Sequence, residues 1–223
     1  MDYWLTAASK LVTMHLYPQD YLKTMSDPQS RFPVPPIDSL PDDIRERIES
    51  VSEKSGFVPN VFQVLAHRPD EFRAFFSYHD ALMEKDSGLS KGEREMIVVV
   101  TSAMNSCLYC VVAHGAIVRI REKNPRLADQ LATDYTRADI TPRQMAMLDF
   151  ACLVSDSAAE VSDDDFAELK EHGFSREDIW DIGAIAAFFA LSNRMAGLTD
   201  MMPNDEFYAL GREPKAAKPK LVK

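Results

Sequence analysis

Cys107-Leu-Tyr-Cys110, followed by His114, is the stretch whose residue types and spacing could do chemistry. If it is helical, Cys107 to Cys110 is an i,i+3 step and Cys110 to His114 an i,i+4 step, so two sulfurs and an imidazole share one face. Asn105-Ser106 just ahead is a good cap, which sets both cysteines in or near the first turn, where unpaired amide N–H groups and the helix dipole favour a thiolate. A C-x-x-C so placed can have its lower thiol pKa pulled from about 8.5 to about 3.5–7.5, giving a nucleophile at neutral pH. Glu95 lies 12 residues before Cys107, or ~18 Å along one unbroken helix. Contact therefore requires a turn. A break at Asn105-Ser106 would fold the Glu95 helix back, so that its carboxylate could hold His114 as a base or proton carrier.

Other chemistry competes for the same residues. Cys107, Cys110 and His114 are legitimate zinc ligands, but a fourth would have to be recruited singly from Cys152, His67 or His79. A permanent structural disulfide across so short a loop would constrain the unfolded chain little. Two cysteines packed as small hydrophobes would not need the imidazole beside them. Cys152, among apolar neighbours, reads as an inert core residue. His15, His67, His79 and His172 have no acidic or thiol partner at a telling spacing and read as packing or capping groups. Trp180 and Phe72, Phe75, Phe76, Phe188 and Phe189 read as core or subunit interface. Arg194, in an apolar helix, should find a carboxylate or carbonyl, a structural salt bridge being the simplest. Asp163-Asp-Asp165 complements the dipole of a helix start.

Elements that could hold this group are legible in caps and stops. Ser90/Glu93, Thr141/Gln144, Ser162/Asp165 and Ser175/Asp178 each pair a cap with a reciprocal residue three positions on. Gly56, Gly88 and Gly173 stand where a helix would need a left-handed residue just past its end. The spacing of Phe72, Phe75, Phe76, Leu82 and Met83 predicts a half-buried helix over 69–84. Met96 to Val100 is apolar on every side, and its capping box favours a fully buried helix over a strand. A further helix runs from about Ser175 to Gly197. With no Asn-Gly hairpin and no alternating run, the fold class is all-α: one helical domain over 38–205, an N-terminal extension and Pro-rich arm over 1–37, and a basic, solvated tail over 206–223.

Composition narrows the function further. The 223 residues carry 25 Lys and Arg against 35 Asp and Glu, a formal net charge of −10. Such a field repels nucleic-acid phosphates and anionic lipid headgroups, so neither nucleic acid nor a membrane is an expected partner. The apolar runs fall short of a ~20-residue span. Three cysteines make no disulfide framework and point to the cytoplasm. The N-terminus does not read as a signal peptide, and translation could start at Met25, leaving residues 1–24 as a mis-assigned leader. Without a Gly-rich phosphate loop or a Ser/His/Asp order, no cofactor is expected and serine hydrolysis has no support.

The string Leu89-Ser-x-x-Glu-Arg-Glu95-Met-Ile, then Ser102-x-x-Asn105-x-Cys107-x-Tyr109-Cys110-x-x-x-His114, resembles the alkylhydroperoxidase AhpD-like proteins of the carboxymuconolactone decarboxylase superfamily. Gly56-Phe-Val-Pro-Asn-Val61 and the helix holding Asn193-Arg194-Met195 resemble its peroxidase-related branch. The resemblance implies an AhpD-like helical bundle, homo-oligomeric as a trimer or hexamer. It implies a thiol peroxidase or disulfide oxidoreductase acting on a small hydroperoxide and regenerated by an external dithiol or protein reductant. Carried over by residue, Cys110 is the attacking thiolate, Cys107 the resolving partner, His114 the proton shuttle and Glu95 the carboxylate behind it. Some AhpD proteins have a second His beside the second cysteine; here that position is Tyr109. Two other readings stay open: a decarboxylase or lyase activity, as in fold relatives without the cysteine pair, and a non-catalytic, metal-binding helical oligomer.

Overall fold

The computed structural model describes residues 30–212. The expectations for the leader and His15, and for the lysines after residue 212, lie outside these residues. Ten α-helices follow in order: α1 Asp42–Ser55, α2 Asn60–Leu65, α3 Pro69–Met83, α4 Lys91–Met104, α5 Leu108–Glu122, α6 Leu127–Asp134, α7 Pro142–Ser157, α8 Asp163–Glu171, α9 Arg176–Thr199 and α10 Asp205–Ala209. Among the described residues there is no strand. The fold is all-α, as expected.

Helix α4 is the hub. Its Met96-Ile-Val-Val-Val100 run is buried on every side, which a single amphipathic face could not achieve, and α5, α6, α7 and α9 all pack around it. All four expected capping boxes are present, at Ser90, Thr141, Ser162 and Ser175. Glu93 of the first box is also paired with Arg143, whose guanidinium lies 3.9 Å from the Phe174 ring centroid. A second cluster joins α1 to α3 through Ile44, Ile48, Phe72 and Phe76. Gly56 and Gly173 end their helices in the left-handed region. Gly88 does not. Its need is space, because a Cβ there would run into the Asp178 carboxylate that caps α9.

The ends of the domain depart from expectation. Instead of dissolving after residue 205, the chain forms α10, which packs on α5. Buried Arg119 donates to the carbonyls of Phe207 and Leu210 at 2.7 and 2.8 Å, and Arg212 forks onto Asp129. At the other end, the Arg31 amide donates to the Thr199 carbonyl at 2.7 Å, tying the arm to the end of α9. Helix α9 is long and apolar enough to cross a membrane, and half of its most apolar window is buried inside the fold.

Candidate active site

The turn between α4 and α5 builds the site. Cys107, not Asn105-Ser106, is the N-cap of α5. Asn105 closes α4 instead, its amide N–H donating to the Thr101 carbonyl at 3.1 Å. Ser106 takes up the reversal at φ 54°, and the Cys107 amide returns to the Ser102 carbonyl at 2.9 Å. The two helices therefore run back along one another. Glu95, in the second turn of α4, meets His114, two turns into α5, with Oε2 to Nδ1 at 2.6 Å. Their side chains are 11% and 13% exposed, and the Phe189 ring stands edge-on to the imidazole at 4.8 Å between centroids. A neutral His114 donating its Nδ1–H to the carboxylate has Nε2 left to accept a proton.

Both cysteines are buried free thiols, Cys107 6% exposed and Cys110 1%, beneath the exposed Ser106 and Leu108. They are electrostatically unlike. The Cys110 thiol beside it, then the Cys110 backbone amide, the Asn193 side chain and His114, outweigh burial and draw the Cys107 thiol down to about 6. The neighbouring Cys107 and burial push Cys110 well up, against the opposing pull of Ser192 and Asn193. Two neighbouring buried thiols thus disfavour ionising together, and the groups around Cys107 draw it toward its charged form. The division carried over from the resemblance places the attacking charge on Cys110.

Sequence reasoning missed the floor of this site. Ser192 and Asn193 of α9 are buried. The Ser192 hydroxyl lies 3.8 Å from the Cys110 sulfur, and the Asn193 amide donates to Ser102 Oγ at 2.9 Å. The available signal was a polar Ser-Asn pair in an apolar helix, since buried polar groups must be satisfied. Arg194 drew that attention instead, and it is exposed, bonded to the Ala190 carbonyl of its own helix at 2.6 Å, with no ion pair among the described residues. Tyr109, between the cysteines, is held from above by the Val61 amide, which donates to its hydroxyl at 3.2 Å. The Gly56–Val61 segment is thereby bonded to the residue between the cysteines, and burial raises the Tyr109 phenol.

Outside the site, His79 packs among Phe76, Phe188 and Phe189. It does have an acidic partner, Asp80, at 3.1 Å from Nδ1, and burial lowers its pKa. Cys152 is half-buried, and desolvation pushes its thiol up to about 11. Trp180 is 70% exposed and so is not core. Among the described residues no three His, Cys, Asp or Glu side chains converge to hold a metal ion. One cavity, about 690 Å³, is an apolar trough between α3 and α9 lined by Phe72, Phe75, Phe188 and Leu191. It does not reach the sulfurs.

The carboxymuconolactone decarboxylase family matches residues 69–151, the segment carrying Glu95, both cysteines and His114. Among proteins with curated functions none matches. The crystal structure of an alkylhydroperoxidase AhpD core, an uncharacterized peroxidase-related protein from Ralstonia eutropha JMP134, is 67% identical, with 85% of this chain and 100% of that chain covered and a TM-score of 0.84. An uncharacterized peroxidase-related protein from Silicibacter sp. TM1040 is 41% identical over 83% of this chain and 97% of that one, with a TM-score of 0.80. The debrominase Bmp8 in its apo form shares the fold at 21% identity, covering 83% and 97%, with a TM-score of 0.67. Set beside the helical hub and the Glu95–His114 contact, these likenesses place the chain in the carboxymuconolactone decarboxylase/AhpD superfamily, to whose peroxidase-related proteins it belongs.

Proposed function

We propose that the protein is a thiol-dependent peroxidase or disulfide oxidoreductase that cycles Cys107 and Cys110 between dithiol and disulfide. The observation that carries this reading is a pair of buried free thiols at the start of α5, with a carboxylate-held imidazole on the same helix. In the peroxidase direction a thiolate attacks the O–O bond of a small hydroperoxide. Sulfur is oxidised to a sulfenic acid, and the leaving alkoxide departs as the alcohol with the proton that His114 Nε2 took up when the thiolate formed. The second thiol then displaces hydroxide from the sulfenic sulfur, forming the disulfide and water. An external dithiol or protein reductant returns the pair to its starting state.

The two orders of attack differ in where the proton starts. If Cys110 attacks, as in the division the resemblance implies, it must first hand its proton to Cys107. If Cys107 attacks, no such transfer is needed. Dependence on a reducing partner fits a cytoplasmic setting, and exposed Trp180, Leu191 and Leu198 suit assembly as a trimer or hexamer.

Counting free thiols before and after one equivalent of hydroperoxide tests the reading. The wild type should lose two, and neither Cys107→Ser nor Cys110→Ser should lose a pair. Unchanged wild-type counts would remove the proposal. A lyase reading would instead predict that turnover of a small acid survives Cys110→Ser.

A further inference from the structure

Helix α9 is apolar on both sides. Its inner side packs against α4 and carries Ile182, Ile185 and Phe189 into the core. The outer side of such a helix should be polar, and it is not. Between Asp181 and Asp200 the one charged residue is Arg194, which turns back to the Ala190 carbonyl of its own helix. Ala184, Ala187, Leu191, Met195 and Leu198 form an outward stripe, with Leu191 and Leu198 more than half exposed. From Ala187 on, this stripe lines one side of the trough whose other side is Phe72, Phe75 and Tyr78 of α3. Nothing among the described residues covers it.

The spacing of the stripe identifies its occupant. Its steps are 3, 4, 4 and 3 residues, so the pattern reads the same from either end about Leu191. An antiparallel copy of the helix, related by a two-fold axis at Leu191, therefore meets an identical stripe in register. Leu191 then faces the partner's Leu191, Ala187 the partner's Met195, and Ala184 the partner's Leu198. Each small side chain receives a large one, the alternation by which packed layers interdigitate, and the alanines permit the approach of about 8–10 Å usual between helix axes. Exposed Trp180, one turn before Ala184, prolongs the contact toward the partner's Met202, which is exposed in the same way.

We propose that the outer face of α9 is a two-fold interface with a second copy of this chain, the partner's α9 filling the trough between α9 and α3. A simple trimer contains no two-fold axis, so this contact fits a dimer or a hexamer built from three such pairs. Buried Ser192 and Asn193, which follow Leu191 and floor the thiol site, would lie directly behind the axis. Two sites would then stand back to back with the paired helices between them. The inference sharpens the assembly reading above and is independent of the dithiol chemistry.

Sedimentation equilibrium of the full-length protein tests the contact, and cysteine cross-linking tests its geometry. Leu191→Glu sets two like charges on the axis and should halve the particle mass while circular dichroism stays unchanged. A residue on the axis meets its own copy, so oxidised Leu191→Cys should run as a disulfide-linked dimer, above the background of wild type oxidised alongside. Off the axis, Ala184→Cys and Leu198→Cys should each remain unlinked alone and should join as a heterodimer when mixed. A monomeric wild type would overturn the proposal, leaving the trough to residues 1–29 or to a different partner. So would an unchanged mass for folded Leu191→Glu, or an Ala184→Cys that links to itself. Failure of Leu191→Cys to cross-link would overturn it too, and decides the matter if the glutamate variant does not fold. Loss of two thiols to peroxide is a separate readout, and its absence in the wild type would defeat the functional reading while leaving the interface standing.

Discussion

Cys107 and Cys110 have the same side chain three positions apart, and the fold treats them oppositely. One sits at the mouth of α5 with donors around it; the other lies a turn deeper, where burial and its neighbour's charge keep the proton on. Because only the thiolate alkylates, the rate of Cys107 modification by iodoacetamide should fall as pH is lowered through about 6. At pH 7 peptide mapping should find label on Cys107 ahead of Cys110. Preferential labelling of Cys110 would restore the division of roles implied by resemblance. His114 and Glu95 are joined by a 2.6 Å contact, and the proposed cycle uses them as one unit. His114→Gln and Glu95→Gln should each slow peroxide-driven disulfide formation about 10²-fold, the scale of a positioned acid–base group. The double variant should be little slower than either single one, as groups sharing a function are non-additive. Stopped-flow thiol kinetics would show whether the losses multiply instead.

Between the residues and the molecule stands the reversal at Ser106, where α4 stops and α5 starts. A positive φ costs an L-residue about 1–2 kcal/mol, and Ser106 carries it with its side chain exposed. Ser106→Gly should therefore keep stability within about 1 kcal/mol of wild type, whereas Ser106→Val should lose about 1–2 kcal/mol in urea unfolding. The valine variant should also raise the thiolate midpoint by displacing Cys107 from its donors. The sequence made the helices flanking this turn readable because capping boxes and apolar spacing are local signals: Ser90 with Glu93 announces α4, and Ser175 with Asp178 announces α9. The need for a break between Glu95 and Cys107 was readable from arithmetic on the helix rise. Which residue would cap α5 was not, since Asn105 could equally close the preceding helix and there took that role. Asn193 stayed hidden because its partners, Ser102 and Asn105, are 91 and 88 positions away, and no local pattern encodes a contact of that range.

At the scale of the whole molecule, the segment around α10 is bonded to the segment that holds Tyr109. Asn60 and Asn204 interlock, the Asn60 amide donating to Asn204 Oδ1 at 2.8 Å and Asn204 Nδ2 to the Val58 carbonyl at 2.9 Å. Phe207 meets Phe57 edge-on at 5.0 Å, so α10 and the segment over Tyr109 are held together as one cover. Arg119→Met should strip two carbonyls of their charged donor and cost about 2–4 kcal/mol. Its early signature should be proteolysis near residues 204–210 while the α4 core stays protected from hydrogen exchange; loss of the core at the same rate would show that the cover and the bundle unfold together. Drawing the Cys107 thiol toward its charged form also has an energetic meaning for the proposed dithiol–disulfide cycle. Bridging the two sulfurs abolishes the charge that the surrounding dipoles are oriented to hold, so the protein environment selectively stabilises the electron-rich side of the couple. A pair built this way accepts electrons more readily than the same loop bearing ordinary thiols, and its reduction potential should lie correspondingly higher.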